Sequence, residues 1–124
     1  MSTAQALGPM QTQWVEALES GKYPQGKSKL RTIDNEFCCL GVACDLFGPK
    51  PEVVQTTIGN IYAYDGQYNY LPASLQEKLK FHTQDGKNIA TNTHLTYLND
   101  DGKTFVEIAQ MVRANPSHFF REPV

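Results

Sequence analysis

The chain has 124 residues, a formal net charge of −2 and three cysteines. This length predicts a single domain over residues 1–124, since a chain of this size folds around one core. The slightly acidic balance argues against a nucleic-acid polymer as a partner, because such surfaces carry a clear basic excess. Neither a bilayer-spanning apolar run nor a leader pattern is present, so we expect no membrane partner. An odd number of cysteines without a leader fits a protein of the reducing cytoplasm.

The first predicted elements are a helix and a strand. Pro9 suits the first position of a helix, which should end at Gly21. The apolar stripe of this helix is Met10, Trp14, Ala17 and Leu18. Residues 28–33 alternate in the manner of a strand, and Asp34-Asn35 predicts a turn after it.

All three cysteines lie in the apolar segment 36–46. Their spacing fits neither a redox pair nor a set of zinc ligands, so we expect no metal here. The segment predicts a buried helix that stops at Gly48-Pro49. Its apolar face is Leu40, Ala43, Cys44 and Phe47. Structural thiols are the favoured interpretation, and a nucleophile is the alternative, which requires an exposed thiol with a lowered pKa.

For the middle of the chain, the sequence predicts a loop, a hairpin and a short helix. Residues 48–59 hold two prolines and little periodicity, which predicts a loop. Asp65-Gly66 is a strong signal for a two-residue hairpin turn. Its core face would be Ile61, Ala63, Tyr68 and Tyr70. A helix should follow Pro72, with Leu75 and Leu79 one turn apart.

A second hairpin signal, Asp85-Gly86, predicts a ligand site. If 84 pairs with 87 and 81 with 90, Phe81 and Asn92 share one face, with His94 on the same surface. Leu95 and Tyr97 would then face the core. An aromatic ring beside an amide and an imidazole suits a base or a ribose. A bulge in either strand would reverse the faces.

The C-terminal region begins with the capping box Thr104–Glu107. The apolar stripe that follows is Phe105, Ile108, Ala109 and Val112, ending before Asn115-Pro116. Arg113 lies at the edge of this stripe, where it either reaches a cleft or another subunit, or is solvated near a helix C-terminus. Phe119 and Phe120 should dock, on this chain or on a partner subunit.

Catalytic motifs are absent from the sequence. The three histidines, His82, His94 and His118, lack metal-ligand spacing. Neither a nucleophile elbow, a phosphate-binding P-loop nor a dinucleotide fingerprint occurs. The sequence therefore predicts a protein that is not an enzyme and takes no cofactor. Its elements predict an α+β fold, with a small antiparallel sheet of hairpins packed with short helices.

Four segments resemble small phage proteins of the Thoeris anti-defence family, whose members act as sponges for an immune signal. The segments are residues 14–23 (WVEALESGKY), 25–27 (QGK), 37–46 (FCCLGVACDL) and 98–109 (LNDDGKTFVEIA). The resemblance covers both ends and the cysteine helix, whereas residues 48–97 carry no shared motif. Ala43 departs from the pattern, where a larger aliphatic residue is expected.

This resemblance implies a non-enzymatic protein that sequesters a cyclic ADP-ribose isomer, glycocyclic ADP-ribose, and thereby blocks Thoeris immunity. It also implies a homodimer or higher homo-oligomer in the cytoplasm of the infected bacterial host, with cyclic oligonucleotides as further ligands. Phe81 would stack on the base, Asn92 would bind ribose, and Arg113 and Arg31 would bind the pyrophosphate. A small cysteine-dependent hydrolase and a phage structural or adaptor protein are the alternatives.

Overall fold

A computed structural model describes residues 6–124 and has an α+β architecture, which confirms the predicted fold class. The helices in this part of the chain are α1 (Pro9–Glu19), α2 (Cys39–Phe47), α3 (Ala73–Leu79), α4 (Leu95–Asp100), α5 (Phe105–Ala114) and α6 (Pro116–Phe119). The strands are β1 (Glu52–Thr56), β2 (Gly59–Ala63), β3 (Lys87–Asn88) and β4 (Thr93–His94). Strand β1 pairs with β2 and β3 with β4, both antiparallel, as two separate two-stranded sheets.

The core is centred on Trp14 of α1, which is fully buried. Its ring meets Phe81 and Phe120 edge-on, with centroids 5.3 Å and 6.1 Å away. The indole Nε1 donates a hydrogen bond of 2.9 Å to the carbonyl oxygen of Cys39 in α2. The large ring is thus buried without leaving its one polar atom unpaired, which is the usual condition for a buried tryptophan.

Four predicted helices are confirmed. Helix α1 begins at Pro9, and α2 ends at Phe47 with Gly48 as its C-cap. In α5, Thr104 accepts a hydrogen bond from the Glu107 backbone while the Glu107 side chain accepts one from the Thr104 backbone. Helix α3 begins directly after Pro72. These helices were predictable because their caps and apolar stripes are local signals.

Two predictions for the first half of the chain are wrong. Residues 28–33 form no strand, since Ser28 has a φ of +69° and Arg31 makes only a single bridge, to Phe37. Residues 48–59 are not a loop throughout, because β1 pairs with β2 in a register that sets Val54 opposite Ile61. The two prolines that suggested a loop lie before the strand, so they do not interrupt its pairing.

The Asp65-Gly66 turn is confirmed but the hairpin built on it is not. Tyr64 and Gln67 exchange two backbone hydrogen bonds around the turn, of 2.8 and 2.9 Å. The pairing stops there because the next residues bond to other segments: the carbonyl of Tyr68 accepts from the Leu30 N–H, and the Leu71 N–H donates to the carbonyl of Gln84. Ile61 and Ala63 are buried as expected, whereas Tyr68 and Tyr70 of the assumed partner strand are exposed.

The second predicted hairpin has the wrong register. The Gly86 N–H donates to the carbonyl of Thr83, so Asp85 and Gly86 occupy the third and fourth positions of a turn rather than its centre. The strands that do pair are Lys87–Asn88 and Thr93–His94. Residues 89–92 close this hairpin, and the Asn88 side chain accepts hydrogen bonds from the N–H groups of Ala90 and Thr91.

Phe81 instead pairs with the C-terminal segment. It forms an antiparallel bridge with Phe120, and the Arg121 N–H donates to the carbonyl of Lys80 over 2.7 Å. Phe119 and Phe120 are each 1 % exposed, so both rings dock on the same chain. Between residues 6 and 124, none of the helices is both long and apolar enough to cross a bilayer.

Candidate functional site

Three adjoining cavities form one surface, which we name the tyrosine groove. The central cavity has a volume of about 210 Å3 and is lined by Ser28, Cys38, Asn69, Tyr70, Thr96, Tyr97 and Asp100. The histidine cavity, of about 370 Å3, is lined by Tyr70, Thr83, Gln84, Asp85, Lys87 and His94. The turn cavity, of about 300 Å3, is lined by Asn92, Thr93, His94 and Tyr97. Each pair of these cavities shares one lining residue, which is Tyr70, Tyr97 or His94.

Two exposed tyrosines define the groove. Tyr70 is 49 % exposed and stands between the central and histidine cavities. Tyr97 is 59 % exposed and stands between the central and turn cavities. An aromatic ring in this position offers a flat apolar surface with a polar edge, which suits a planar ligand.

Hydrogen bonds of backbone groups, with backbone or side-chain partners, hold the walls of the groove. The Leu71 N–H donates to the carbonyl of Gln84 over 3.0 Å, and Gln84 Nε2 donates back to the carbonyl of Leu71 over 2.8 Å. On the opposite side, the Ser28 N–H donates to Asp100 Oδ1 over 2.8 Å. Each wall is therefore held by a partner distant in sequence, which preorganises the groove before any ligand arrives.

Gly86 brings the histidine cavity against α4. Its carbonyl accepts the Leu95 N–H over 3.0 Å, and its φ of +73° is in the left-handed region that favours glycine. A Cβ at this position would lie 2.9 Å from the Leu95 Cβ. Close packing of this turn on α4 therefore requires glycine.

His94 is positioned by Asp85. The His94 Nδ1 lies 2.7 Å from Asp85 Oδ2, a close polar contact whose angle departs from that of an aligned hydrogen bond. Asp85 is fixed in turn by the Thr83 hydroxyl, which donates to Oδ1 and accepts the Lys87 N–H over 2.9 Å. These contacts place the Asp85 carboxylate beside the imidazole, which lines both the histidine and the turn cavity.

The two carboxylates of the groove have polar partners within the protein, whereas its lysine has no ion-pair partner. Asp85 contacts Thr83 and His94, and Asp100 accepts hydrogen bonds from the Ser28 backbone and from Asn99. Lys87 makes no ion pair with any carboxylate of residues 6–124. The ammonium of Lys87 is therefore the charge in the groove that a ligand meets without first displacing a partner.

The cysteine that lines the groove does not have an activated thiol. Cys38 lines the central cavity but is 3 % exposed, and burial raises the pKa of its thiol to about 11. Burial also raises the pKa of Cys39 and Cys44. A nucleophilic cysteine needs the opposite shift, so these environments favour the structural interpretation of the three thiols.

Of the four predicted ligand residues, Phe81 is placed wrongly. It is fully buried and packs against Phe120, with ring centroids 4.7 Å apart. The reason is the shifted turn at Asp85-Gly86, which removes residue 81 from the β3–β4 hairpin. Asn92 does reach the groove, as a residue with a φ of +64° that lines the turn cavity.

The two predicted arginines lie in other surroundings. Arg113 donates two hydrogen bonds to Glu19, of 2.8 Å from Nε and 2.7 Å from Nη2. Arg31 lies over the ring of Tyr62, with Cζ 4.4 Å from the centroid, and donates from Nε and Nη2 to Asn35. The structure therefore gives each of these arginines a different set of neighbours, and neither lines the tyrosine groove.

Sequence reasoning missed the two groove tyrosines because it placed both in the core. The alternation predicts a strand at Tyr97, whereas Leu95, Leu98 and Asn99 follow the spacing of a helix and Tyr97 faces outward. This helical spacing was the available signal. Tyr70 has no comparable local signal, since the path of its segment is set by the backbone hydrogen bonds of Tyr68 with Leu30 and of Leu71 with Gln84, both distant in sequence.

Residues 8–116 match the family described as a domain of unknown function (DUF8296), and the chain belongs to that family. No curated protein and no solved structure matches the chain.

Proposed function

We propose that this protein binds and sequesters a small nucleotide signal, a cyclic ADP-ribose isomer, without converting it. The observation that carries the proposal is the pair of exposed tyrosines that stand between adjoining cavities. The identity of the ligand comes from the resemblance to the anti-defence sponges. Under this proposal the protein acts in the cytoplasm of an infected bacterium, where it removes the activator of an NAD-degrading effector.

The groove offers one kind of contact for each part of such a ligand. Tyr97 or Tyr70 would stack on the base, since base–aromatic stacking is a common source of nucleotide affinity. Thr96, Asp100 and Asn92 would bind ribose hydroxyls. Lys87 would bind a phosphate as a point charge. The histidine cavity of about 370 Å3 lies within the range of roughly 300–1,000 Å3 typical of small-molecule sites.

Stacking is tested by calorimetric titration with the cyclic ADP-ribose isomer. Tyr97→Ala should lower the affinity about 5- to 150-fold, as expected for the loss of one stacked ring. Tyr97→Phe should retain most of the affinity because it keeps the ring. Val106→Ala is the matched control, since Val106 is 49 % exposed on α5 and does not line the groove. Equal affinities for Tyr97→Ala and the control would refute the site.

Lys87 is tested in the same titration. Lys87→Ala should weaken binding and reduce its dependence on salt, whereas Lys50→Ala, outside the groove, should leave both unchanged. A salt dependence that is identical in the two variants would show that Lys87 meets no phosphate.

The proposal includes the absence of turnover. After incubation, the protein is denatured and the ligand is analysed by chromatography; intact recovery supports sequestration. A hydrolytic function is the second candidate, and the 2.7 Å approach of His94 Nδ1 to Asp85 Oδ2 favours it, because an imidazole beside a carboxylate is a common feature of general bases. Product that appears with the wild type and disappears with His94→Gln would establish that alternative.

The proposal also includes the oligomeric state, which is a homodimer or a higher homo-oligomer, as the resemblance implies. Sedimentation equilibrium with and without ligand tests this part separately. A monomer that still binds the isomer would remove the oligomer from the proposal and leave the groove in place.

A further inference from the structure

We infer that Asn99 of α4 is a positioning residue of the tyrosine groove, because its side chain holds the wall of the central cavity that carries Asp100. The Asn99 side chain is polar and yet fully buried. It does not line the central cavity, whereas its neighbour Asp100 does. The effect on ligand affinity rests on the proposed function, whereas the position of the cavity wall does not depend on any ligand.

The Asn99 amide uses its complete hydrogen-bonding capacity. Its Nδ2 donates to the carbonyl of Gly26 over 2.8 Å and to Asp100 Oδ1 over 3.3 Å. Its Oδ1 accepts from the Cys39 N–H over 3.2 Å and from Gln25 Nε2 over 2.9 Å. An asparagine amide has two N–H donors and two acceptor positions, so all four are paired here. A buried network whose groups are all paired holds its members in one arrangement.

Three residues that line the central cavity are tied to this amide. Asp100 accepts from it directly, and the same oxygen, Oδ1, accepts the Ser28 N–H over 2.8 Å. Cys38 directly precedes the residue whose N–H the amide binds. Both hydrogen bonds to Asp100 end on Oδ1, and no hydrogen bond from residues 6–124 reaches Oδ2. Asn99 therefore helps to set the direction of the carboxylate oxygen that a ribose hydroxyl would meet.

Gln25 fixes the direction of the Asn99 amide. Its Nε2 also donates to the carbonyl of Lys103 over 2.7 Å, and its Oε1 accepts the Phe105 N–H over 3.1 Å. A flipped Gln25 would set its NH2 group against the Phe105 N–H, which is another donor. A flipped Asn99 would likewise face two donors, the Cys39 N–H and Gln25 Nε2. The network therefore has one consistent orientation, in which a donor faces Asp100.

Gln11 offers a matched control, since it is an equally buried amide outside the groove. Its Nε2 donates to the carbonyls of Leu79 and Glu122, over 2.9 and 2.8 Å, and its Oε1 accepts the Gly8 N–H over 2.9 Å. None of these residues lines the three cavities. Removal of either amide should lower stability because buried partners lose their hydrogen bonds, but only removal of Asn99 should move the groove wall.

Amide hydrogen exchange measures the position of the wall without a ligand, with rates compared to those of amides that exchange only by global unfolding. The Ser28 N–H should exchange about tenfold faster in Asn99→Ala than in the wild type, because its acceptor is no longer held. Gln11→Ala should leave this rate unchanged. Asn99→Asp keeps an oxygen for the Cys39 N–H and loses the donor to Asp100. It should therefore speed exchange at Ser28 and leave Cys39 protected.

Calorimetric titration with the cyclic ADP-ribose isomer measures the consequence for binding. Asn99→Ala should weaken the affinity about tenfold, whereas Gln11→Ala should bind like the wild type. Asp100→Asn should also weaken binding. The double variant Asn99→Ala with Asp100→Asn should lose little more than Asp100→Asn alone, because Asn99 acts through that carboxylate. Thermal unfolding checks that each variant is folded, and Asn99→Asp replaces Asn99→Ala in both measurements if the alanine variant does not fold.

The outcomes separate this inference from the proposed function. Ser28 exchange that is the same in the wild type and the Asn99 variants would refute the positioning role, whether or not the isomer binds. Equal losses of affinity in Asn99→Ala and Gln11→Ala, or additive losses in the double variant, would also refute it, because either result indicates general loosening. If the wild type does not bind the isomer, the proposed function fails, and Ser28 exchange alone decides whether Asn99 holds the cavity wall.

Discussion

The helical core and the tyrosine groove are held together by different forces. In the core, α1, α2 and α5 bury apolar side chains around Trp14, so stability there depends on burial and packing. The groove is walled by irregular segments, and its shape depends on backbone hydrogen bonds between distant residues, such as Leu71 with Gln84 and Gly86 with Leu95. The difference indicates that substitutions in the core should change stability, whereas those on the groove surface should change binding.

The largest effect should come from breaking the core at Phe81. Phe81→Ala removes a fully buried ring from between Trp14 and Phe120, and should lower the free energy of unfolding by about 3–5 kcal/mol. Urea unfolding measures this loss. Phe81→Leu should lose much less, because it fills most of the cavity.

A ligand role for Phe81 makes the opposite prediction. If Phe81→Leu unfolds like the wild type but no longer binds the cyclic ADP-ribose isomer, the ring is part of the ligand site after all. Normal binding by Phe81→Leu would agree with the buried position and with a site at the groove tyrosines.

The same contrast explains what the sequence could predict. Helices α1, α2 and α5 carry their own caps and apolar stripes, so Pro9, Gly48 and the Thr104–Glu107 box marked their ends correctly. The groove depends on pairings across the chain. An Asp-Gly pair is compatible with the centre or the end of a turn, and the choice at Asp85-Gly86 is made by the contact of Gly86 with Leu95, which no local pattern records.

Gly86 offers a test of the groove that should have an intermediate effect. Gly86→Ala places a Cβ 2.9 Å from Leu95 and imposes a positive φ on alanine, which should cost about 1–3 kcal/mol of stability. Because this glycine joins the histidine cavity to α4, ligand affinity should fall as well. Gly21→Ala is the control, since Gly21 has nearly the same φ, +75°, but has no atom within 4 Å of its missing Cβ.

A comparison of these two glycines separates strain from packing. Both variants carry the cost of a positive φ, and the additional loss in Gly86→Ala measures the close approach to Leu95. Identical unfolding midpoints and identical ligand affinities for the two variants would show that the turn is free to move away from α4.

A smaller effect is expected at the cap of α5, within the core region. Thr104→Ala removes the hydroxyl that accepts the Glu107 N–H over 3.1 Å, and should lower stability by about 1 kcal/mol. Thr104→Ser keeps the hydroxyl and should restore most of the loss. Thermal unfolding compares the three proteins, and ligand affinity should be the same for all of them because this cap lies outside the groove. A large loss of affinity in Thr104→Ala would mean that core and groove are coupled.

The smallest effect should be the pH dependence of the pair formed by Glu19 and Arg113, which joins α1 to α5 at the surface. The hydrogen bonds from Arg113 lower the pKa of Glu19 below its ordinary value of 4.5. A lowered carboxyl pKa in the folded state adds stability that is present above about pH 4.5 and is lost as the pH falls through the lower folded value. Arg113→Gln should therefore be less stable than the wild type at neutral pH, by at most about 1 kcal/mol for so exposed a pair. The difference should shrink as the pH is lowered and should also shrink in high salt. Thermal unfolding from pH 3 to 7 checks the sign, because a difference that grew toward acid pH would contradict an ionised Glu19 as the partner of Arg113.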